Sequence, residues 1–211
     1  MNEELESHKI MAMEPEKRER VINAAMQEFS KGYKQAYTDT IVKEAGISKG
    51  LLFHYFGTKE GLYNFILLNA CETIYNEYLT LIDLKQQDII EKIWQMTLLK
   101  MDLSYKYPAL FEFVAKAYME LQENPNDEFA EYFNKTRSIA VDKALSDIDE
   151  TLFKEGIDPK KAANIIIWTL NGYSTSQINT SMRMEDYQKE YERYLSELKE
   201  YINIFKATLY K

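Results

Sequence analysis

Apolar residues recur along this chain at helical intervals almost from end to end. In the first periodic run Ile22, Ala25, Met26 and Phe29 follow the i, i+3, i+4, i+7 rule; Pro15 precedes the run and Gly32 ends it. A short helix over about 38–45 is closed by Gly46, and another over about 49–55 follows Ser48 as N-cap. Phe56-Gly57 breaks the chain, and Thr58 caps a longer helix. There Leu67, Cys71, Ile74, Tyr78 and Leu81 repeat at spacings of four and three, which predicts a helix running to about Ile82.

Further helices are expected at roughly 88–105, 108–123, 126–154, 159–180 and 185–209, about nine in all. All four prolines read as helix-start marks, where the missing N–H costs nothing; Asn124-Pro125 and Asp158-Pro159 add a good N-cap. No segment shows strand alternation bounded by turn residues, so the fold class is all-α. In the last helix Tyr187, Tyr191, Tyr194, Leu198, Tyr201 and Phe205 form a stripe, and the helix before it carries Ile165-Ile166-Ile167-Trp168. Such a pair fits either ordinary core packing or a four-helix interface with a second copy of the chain.

The seven glycines alter this picture: five fall between positions 32 and 61, so short elements with tight turns come first and long ones after. Charge sharpens the division. The net charge of -8 is at odds with a nucleic-acid binder until it is split by region. Residues 17–62 carry eight Lys or Arg against five Asp or Glu; residues 63–211 carry 17 against 24, and residues 1–16 one against five. Only a weakly basic head is suited to approach phosphates, while the acidic remainder limits nonspecific adhesion.

Cys71 is the only cysteine, which excludes a disulfide framework or a Cys-based metal site. The first 16 residues lack the apolar core of a signal peptide, and no apolar run approaches a membrane span. A soluble, cytoplasmic protein without a membrane partner is expected. With only His8 and His54 as histidines and no phosphate-cradling glycine loop, no catalytic residue, metal or cofactor is assigned.

The chemistry-bearing stretch is Gly46-Ile-Ser-Lys-Gly-Leu-Leu-Phe-His-Tyr-Phe-Gly-Thr-Lys-Glu-Gly-Leu62, which reads as a turn, a short helix and a second helix start. Two short helices joined this way can present the second to the DNA major groove, which is wide enough to admit it. The order Arg20-Val-Ile-Asn-Ala-Ala-Met-Gln-Glu-Phe29, Gly32-Tyr33, Ile41-Val-Lys-Glu-Ala-Gly-Ile-Ser-Lys-Gly50, Phe53-His-Tyr-Phe56 and Lys59-Glu-Gly-Leu62 closely resembles the TetR/AcrR family of bacterial transcriptional regulators. The specific resemblance covers about residues 17–63; beyond it only the helical plan matches.

The resemblance implies a mobile arm (1–16), a three-helix helix-turn-helix DNA-binding head (17–63) and an effector-binding and dimerisation body (64–211). It places Lys49, Gly50, Leu51, Phe53 and His54 at bases or sugar-phosphate and Tyr55 close to the backbone. Thr38 and Lys59 look like phosphate anchors at helix starts, and Tyr37 and Ser48 complete the DNA-binding set. Leu51 and Phe53 stand where Thr and Tyr are common in the family, leaving apolar surface suited to a thymine methyl or a sugar. Leu52 and Phe56 read as core of the head.

The expected function is a ligand-responsive repressor, not an enzyme, that binds a palindromic operator as a homodimer through its last two helices and is released by a small, largely apolar effector. Met96, Phe113, Tyr118, Trp168 and Asn171 are the candidates for that effector's pocket, although such residues also serve as plain core. Glu112 and Glu120 suit a cationic effector or simple solvation. A helical adaptor and a small helical enzyme stand as alternatives.

Overall fold

The structure is a computed structural model that describes residues 8–121, 134–135, 138–139, 142–143, 145–177 and 184–211. Eight α-helices are bounded among the described residues. They are α1 (Pro15–Phe29), α2 (Thr38–Ala45), α3 (Lys49–Phe56), α4 (Lys59–Glu77), α5 (Ile89–Lys106), α6 (Leu110–Leu121), α7 (Pro159–Gln177) and α8 (Met184–Leu209). The chain divides into two compact units, Met1–Leu81 with Leu99–Ala140, and Ile82–Leu98 with Val141–Lys211.

The first unit is built on α1. Pro15 occupies its first turn, where the Glu14 carboxylate accepts the N–H groups of Glu16 and Lys17. Ala25, Met26 and Phe29 are buried and Ile22 is half-buried, so the apolar stripe becomes the packed face, with Val21 buried beside it. Each large aliphatic side chain removed from water here contributes about 1.5 to 3 kcal/mol. Phe29 meets Tyr63 of α4 edge-on at 5.0 Å, and Phe113 of α6 completes an aromatic cluster, 5.9 Å from Tyr63 and 6.4 Å from Phe29.

The segment before α1, expected as part of a mobile arm, is packed from residue 8 onward; residues 1–7 lie outside the described residues. Ile10 is fully buried within a short 3-10 turn, and the His8 ring lies 4.5 Å from Phe65 and 5.4 Å from Phe56. Cys71 is buried in α4, and burial followed by the charge of Glu72 pushes its thiol up to about 12. It is therefore protonated at neutral pH and unreactive.

Two predicted boundaries shift. α4 ends at Glu77, short of Ile82, because Tyr78 leaves helical backbone and a 3-10 turn over Leu79–Leu81 follows. Leu81, which the spacing placed on the packed face, is 58% exposed, while Leu79 and Ile82 are buried, so the predicted stripe does not continue past the break. The helix expected over 126–154 falls partly outside the described residues; by 145 the chain has left helix, Asp147 takes a positive φ of 48° and a 3-10 turn spans Glu150–Leu152.

In the second unit Ile89, Ile90, Ile93, Ala163, Ile166, Leu198 and Ile202 are buried. Lys92 is also fully enclosed, and its ammonium donates to the Ser146 carbonyl at 2.5 Å. Burial holds its pKa below the ordinary lysine value against the opposing pull of Asp147 and Asp83. At the chain's end Lys154 N–H donates to the Leu209 carbonyl, Tyr210 donates to Asp88 at 2.6 Å, and Lys206 pairs with Glu91.

Gly32 combines a left-handed backbone with close neighbours. Its φ is +110°, and an added Cβ would lie 2.7 Å from a Glu120 carboxylate oxygen and 2.9 Å from Lys116 Cε. Gly32→Ala is expected to destabilise the protein by about 1 to 3 kcal/mol through backbone strain and crowding, seen as a lower midpoint in urea unfolding; an unchanged midpoint would contradict this geometry.

Candidate nucleic-acid interface

Two short helices and the turn between them carry most of the candidate DNA-binding residues. Gly46 closes α2 in the left-handed region at φ 66°, with its N–H on the Lys43 carbonyl and the Ile47 N–H on the Val42 carbonyl. That pair of bonds is a Schellman motif, which requires the conformation glycine adopts without penalty. The chain then turns into α3, where the Ser48 hydroxyl accepts the Leu51 N–H at 3.2 Å. Thr58 repeats the device for α4, accepting the Gly61 N–H at 2.9 Å.

α3 divides cleanly by exposure. Leu52 (1% exposed) and Phe56 (7%) face the core, as their apolar character predicts. Ser48, Lys49, Gly50 and His54 are exposed, while Leu51, Phe53 and Tyr55 are half-buried. His54 stands against Tyr55, ring centroids 5.2 Å apart. Just before α2 the side chain of Tyr37 projects with 68% of its surface exposed, and Thr38, the first residue of the helix, is half-buried. The DNA-binding residues named from sequence thus share one small structural unit, except that Lys59 is turned to an internal partner.

Lys59 donates to the Tyr33 carbonyl at 2.5 Å and lies 4.6 Å over the Tyr33 ring. The Tyr33 N–H donates to both oxygens of Glu120 at 3.1 and 3.2 Å, with the Tyr63 hydroxyl on that carboxylate at 3.4 Å. Glu120 therefore serves the corner after α1. One turn earlier the buried carboxylate of Glu28 accepts the Tyr37 N–H at 3.0 Å and pairs with Lys31 at 2.5 Å, fixing where α2 starts. Sequence reasoning missed Glu28, Tyr33 and Glu120 in these roles, since Tyr33 and Glu120 are 87 positions apart.

Lys49 also has a partner, Asp39 of α2, at 2.7 Å, with 54% of the lysine and 74% of the aspartate side chain exposed. Asp39 was likewise not singled out from sequence. Its visible signal is an acidic residue in the first turn of α2, where the helix dipole favours a negative charge.

The candidate effector residues are distributed over both units. Phe113 is fully buried in the aromatic cluster and Tyr118 half-buried on α6, both in the first unit. Met96 is half-buried on α5 and Trp168, on α7, is 69% exposed, both in the second. Asn171 lies on α7 with its side chain outside the described residues. A cavity of about 460 Å³ lined by residues including Phe153, Lys154, Ile157 and Lys211 contains none of the five.

Residues 21–65 match the family model described as bacterial regulatory proteins, tetR family. A stretch of 53 residues is 45% identical to the HTH-type transcriptional regulator BetI of Stenotrophomonas maltophilia (strain R551-3), covering 25% of this chain and 27% of that protein. The likeness thus spans about a quarter of that relative's length. The ketosteroid transcriptional regulator KstR2 of Mycobacterium tuberculosis shares the fold with a TM-score of 0.66 at 17% identity, over 93% of this chain and 95% of its own. CprB of Streptomyces coelicolor, solved with its biological operator sequence, does so with a TM-score of 0.52 at 17% identity, over 85% of this chain and 98% of its own.

The cap on α3 is open to direct measurement. Ser48→Ala removes the acceptor for the Leu51 N–H and is expected to cost about 1 kcal/mol in denaturant unfolding, while Ser48→Asp, which can cap, keeps most of the stability. Equal losses in both variants would mean that the hydroxyl bond contributes nothing.

Proposed function

The chain belongs to the TetR family of bacterial regulatory proteins, and on that premise we propose that it is a DNA-binding repressor released by a small molecule. The family is one of transcriptional regulators, not enzymes. Residues 17–63 act as the DNA-binding head and residues 64–211 as the effector-binding and dimerisation body. The observation that carries the reading is the divided surface of α3, which keeps Leu52 and Phe56 in the core and offers Ser48, Lys49, Gly50 and His54 outward. A helix anchored along one side with a polar first turn on the other suits insertion in the major groove. Leu51 and Phe53 would meet sugar or thymine methyl, and Tyr37, Thr38 and Tyr55 the backbone.

The operator is palindromic because a symmetric dimer presents two such helices, which must sit about 34 to 36 Å apart to enter successive grooves. The dimer forms through α7 and α8. Both carry large exposed apolar side chains, Ile165 (49%) and Trp168 (69%) on one, Tyr201 (37%) and Ile204 (56%) on the other, and such surface favours association. No helix among the described residues is long and apolar enough to cross a membrane, and the proposed place of action is the cytoplasm. The effector is small and largely apolar, with Met96, Phe113, Tyr118, Trp168 and Asn171 nominated to meet it. A coupling of about 1 to 3 kcal/mol would change operator affinity roughly 5- to 150-fold.

Selection of bound fragments from the native genome is expected to return an inverted repeat, and Lys49→Ala to weaken binding and flatten the log–log salt slope by about 0.9 per half-site. Recovery of no preferred sequence would reject the reading. Trp168→Glu with Ile204→Glu is expected to give monomers in analytical ultracentrifugation and to lower affinity for the full repeat. A double variant that remains dimeric would move the interface elsewhere.

A further inference from the structure

α5 carries a lysine where its own pattern calls for an apolar residue. Leu103, three positions after Lys100 and so on the same side of the helix, is buried in the core of the first unit, and Tyr107, just past the helix end, rests against that core. Lys100 continues this stripe and is half-buried. Its ammonium lies 5.3 Å from the centre of the Phe111 ring, on α6 of the same unit. Among the described residues no carboxylate or carbonyl oxygen accepts from it. Ser104, one turn on, directs its hydroxyl to the Lys100 carbonyl at 2.8 Å.

Three other lysines that are buried or half-buried have an oxygen in reach. Lys59 has the Tyr33 carbonyl, Lys92 the Ser146 carbonyl and Lys206 the Glu91 carboxylate. A lysine that snorkels lays its stem on apolar surface and keeps its head in water. Lys100 departs from that pattern as well, since burial holds its pKa below the ordinary lysine value with no carboxylate to raise it. The face of Phe111 compensates only part of the lost hydration, because a cation–π contact is weaker than a charge-assisted bond to an oxyanion. The fold thus holds a cation that is partly stripped of water and lacks a counter-charge.

We propose that Lys100, over the Phe111 ring, is the anion-binding group of a ligand site in the body, and that its ligand is a small amphipathic carboxylate. The inference rests on the effector-binding role proposed above for residues 64–211 and narrows the effector's class to a largely apolar molecule with one negative charge. Folding has already removed part of the water around the ammonium, so an incoming carboxylate gains the attraction without that part of the desolvation cost. A hydroxyl at the same place gains only an ordinary hydrogen bond, and a quaternary ammonium is repelled. The carboxylates considered for a cationic effector are placed otherwise: Glu120 is held by the Tyr33 N–H, and Glu112 is exposed. Lys100 retains part of its surface in solvent, so a small molecule can reach it.

The test is isothermal titration calorimetry on the full-length protein. Octanoate and phenylpropanoate are the probes, each beside the primary alcohol of the same skeleton, with octyltrimethylammonium as the cationic control. At least one carboxylate is expected to bind roughly tenfold or more tightly than its alcohol, as a bond to a charged group provides, and the cation is expected not to bind. Lys100→Gln and Lys100→Met, which remove the charge and keep most of the stem, should reduce that preference to within about twofold while alcohol binding persists, and Lys100→Arg should keep it. Without ligand, Lys100→Met is expected to raise the midpoint of urea unfolding, because an uncompensated charge has left the interior.

The proposal is overturned if neither carboxylate binds more tightly than its alcohol, or if the preference survives in both Lys100→Gln and Lys100→Met. A lower urea midpoint in Lys100→Met would also overturn it, by showing that the fold already satisfies the ammonium. Circular dichroism of each variant separates these results from loss of helix. Affinity for the operator fragment recovered by selection divides the inference from the reading beneath it. Carboxylate binding that requires Lys100 and leaves operator affinity unchanged supports the site and rejects the effector-released repressor. Operator release by a neutral apolar compound, unaltered in Lys100→Gln, supports that repressor and rejects the inference alone.

Discussion

An eight-residue helix does not hold itself together in water, and the head depends on that constraint. α3 has too few internal hydrogen bonds to offset the backbone entropy it loses, so its order is imposed from outside. Leu52 and Phe56 insert into a core shared with α1 and α4, the Ser48 hydroxyl closes one end, and Gly57 ends the other. What is left for an external partner is the side that these anchors do not use. The anchored side and the solvent-facing side are thus divided by direction around one short cylinder.

The polar groups of the head follow from the same constraint. Buried Glu28 and half-buried Glu120 and Lys59 do not serve as surface charge; each satisfies a backbone group in a loop that would otherwise lack a partner. These loops set where α2 and α4 begin, and so how α3 is presented. The exposed pair of Asp39 and Lys49 belongs to a different class, since its opening leaves no buried group orphaned.

Most of the head was legible because its boundaries are written in local chemistry. Gly46, Ser48, Gly57 and Thr58 each act within four residues, and each does in space what its type suggests. The resemblance carried by the same stretch made the fold and family legible as well. What could not be read were contacts between distant positions, Glu120 with Tyr33 above all, because a solvated glutamate and a loop-capping one look alike in sequence. The end of α4 was misjudged for another reason. The spacing of Tyr78 and Leu81 reads as one more helical turn, but the 3-10 turn after Tyr78 changes the side-chain directions, burying Leu79 and Ile82 and turning Leu81 to solvent. Aromatic content proved equally silent on surroundings: Phe113 is wholly enclosed while Trp168 stands largely in solvent.

The corner after α1 has a consequence for substitution. Glu120 and Lys59 both grasp Tyr33 by its main chain, one at the N–H and the other at the carbonyl, and Gly32 beside it leaves no space for a side chain. Those two bonds persist for any residue but proline at position 33, so the ring is free to change as far as its packing allows. The residues that grip the corner have no such latitude. Positions 32, 59 and 120, spread over three separate stretches of the chain, all bear on that one corner.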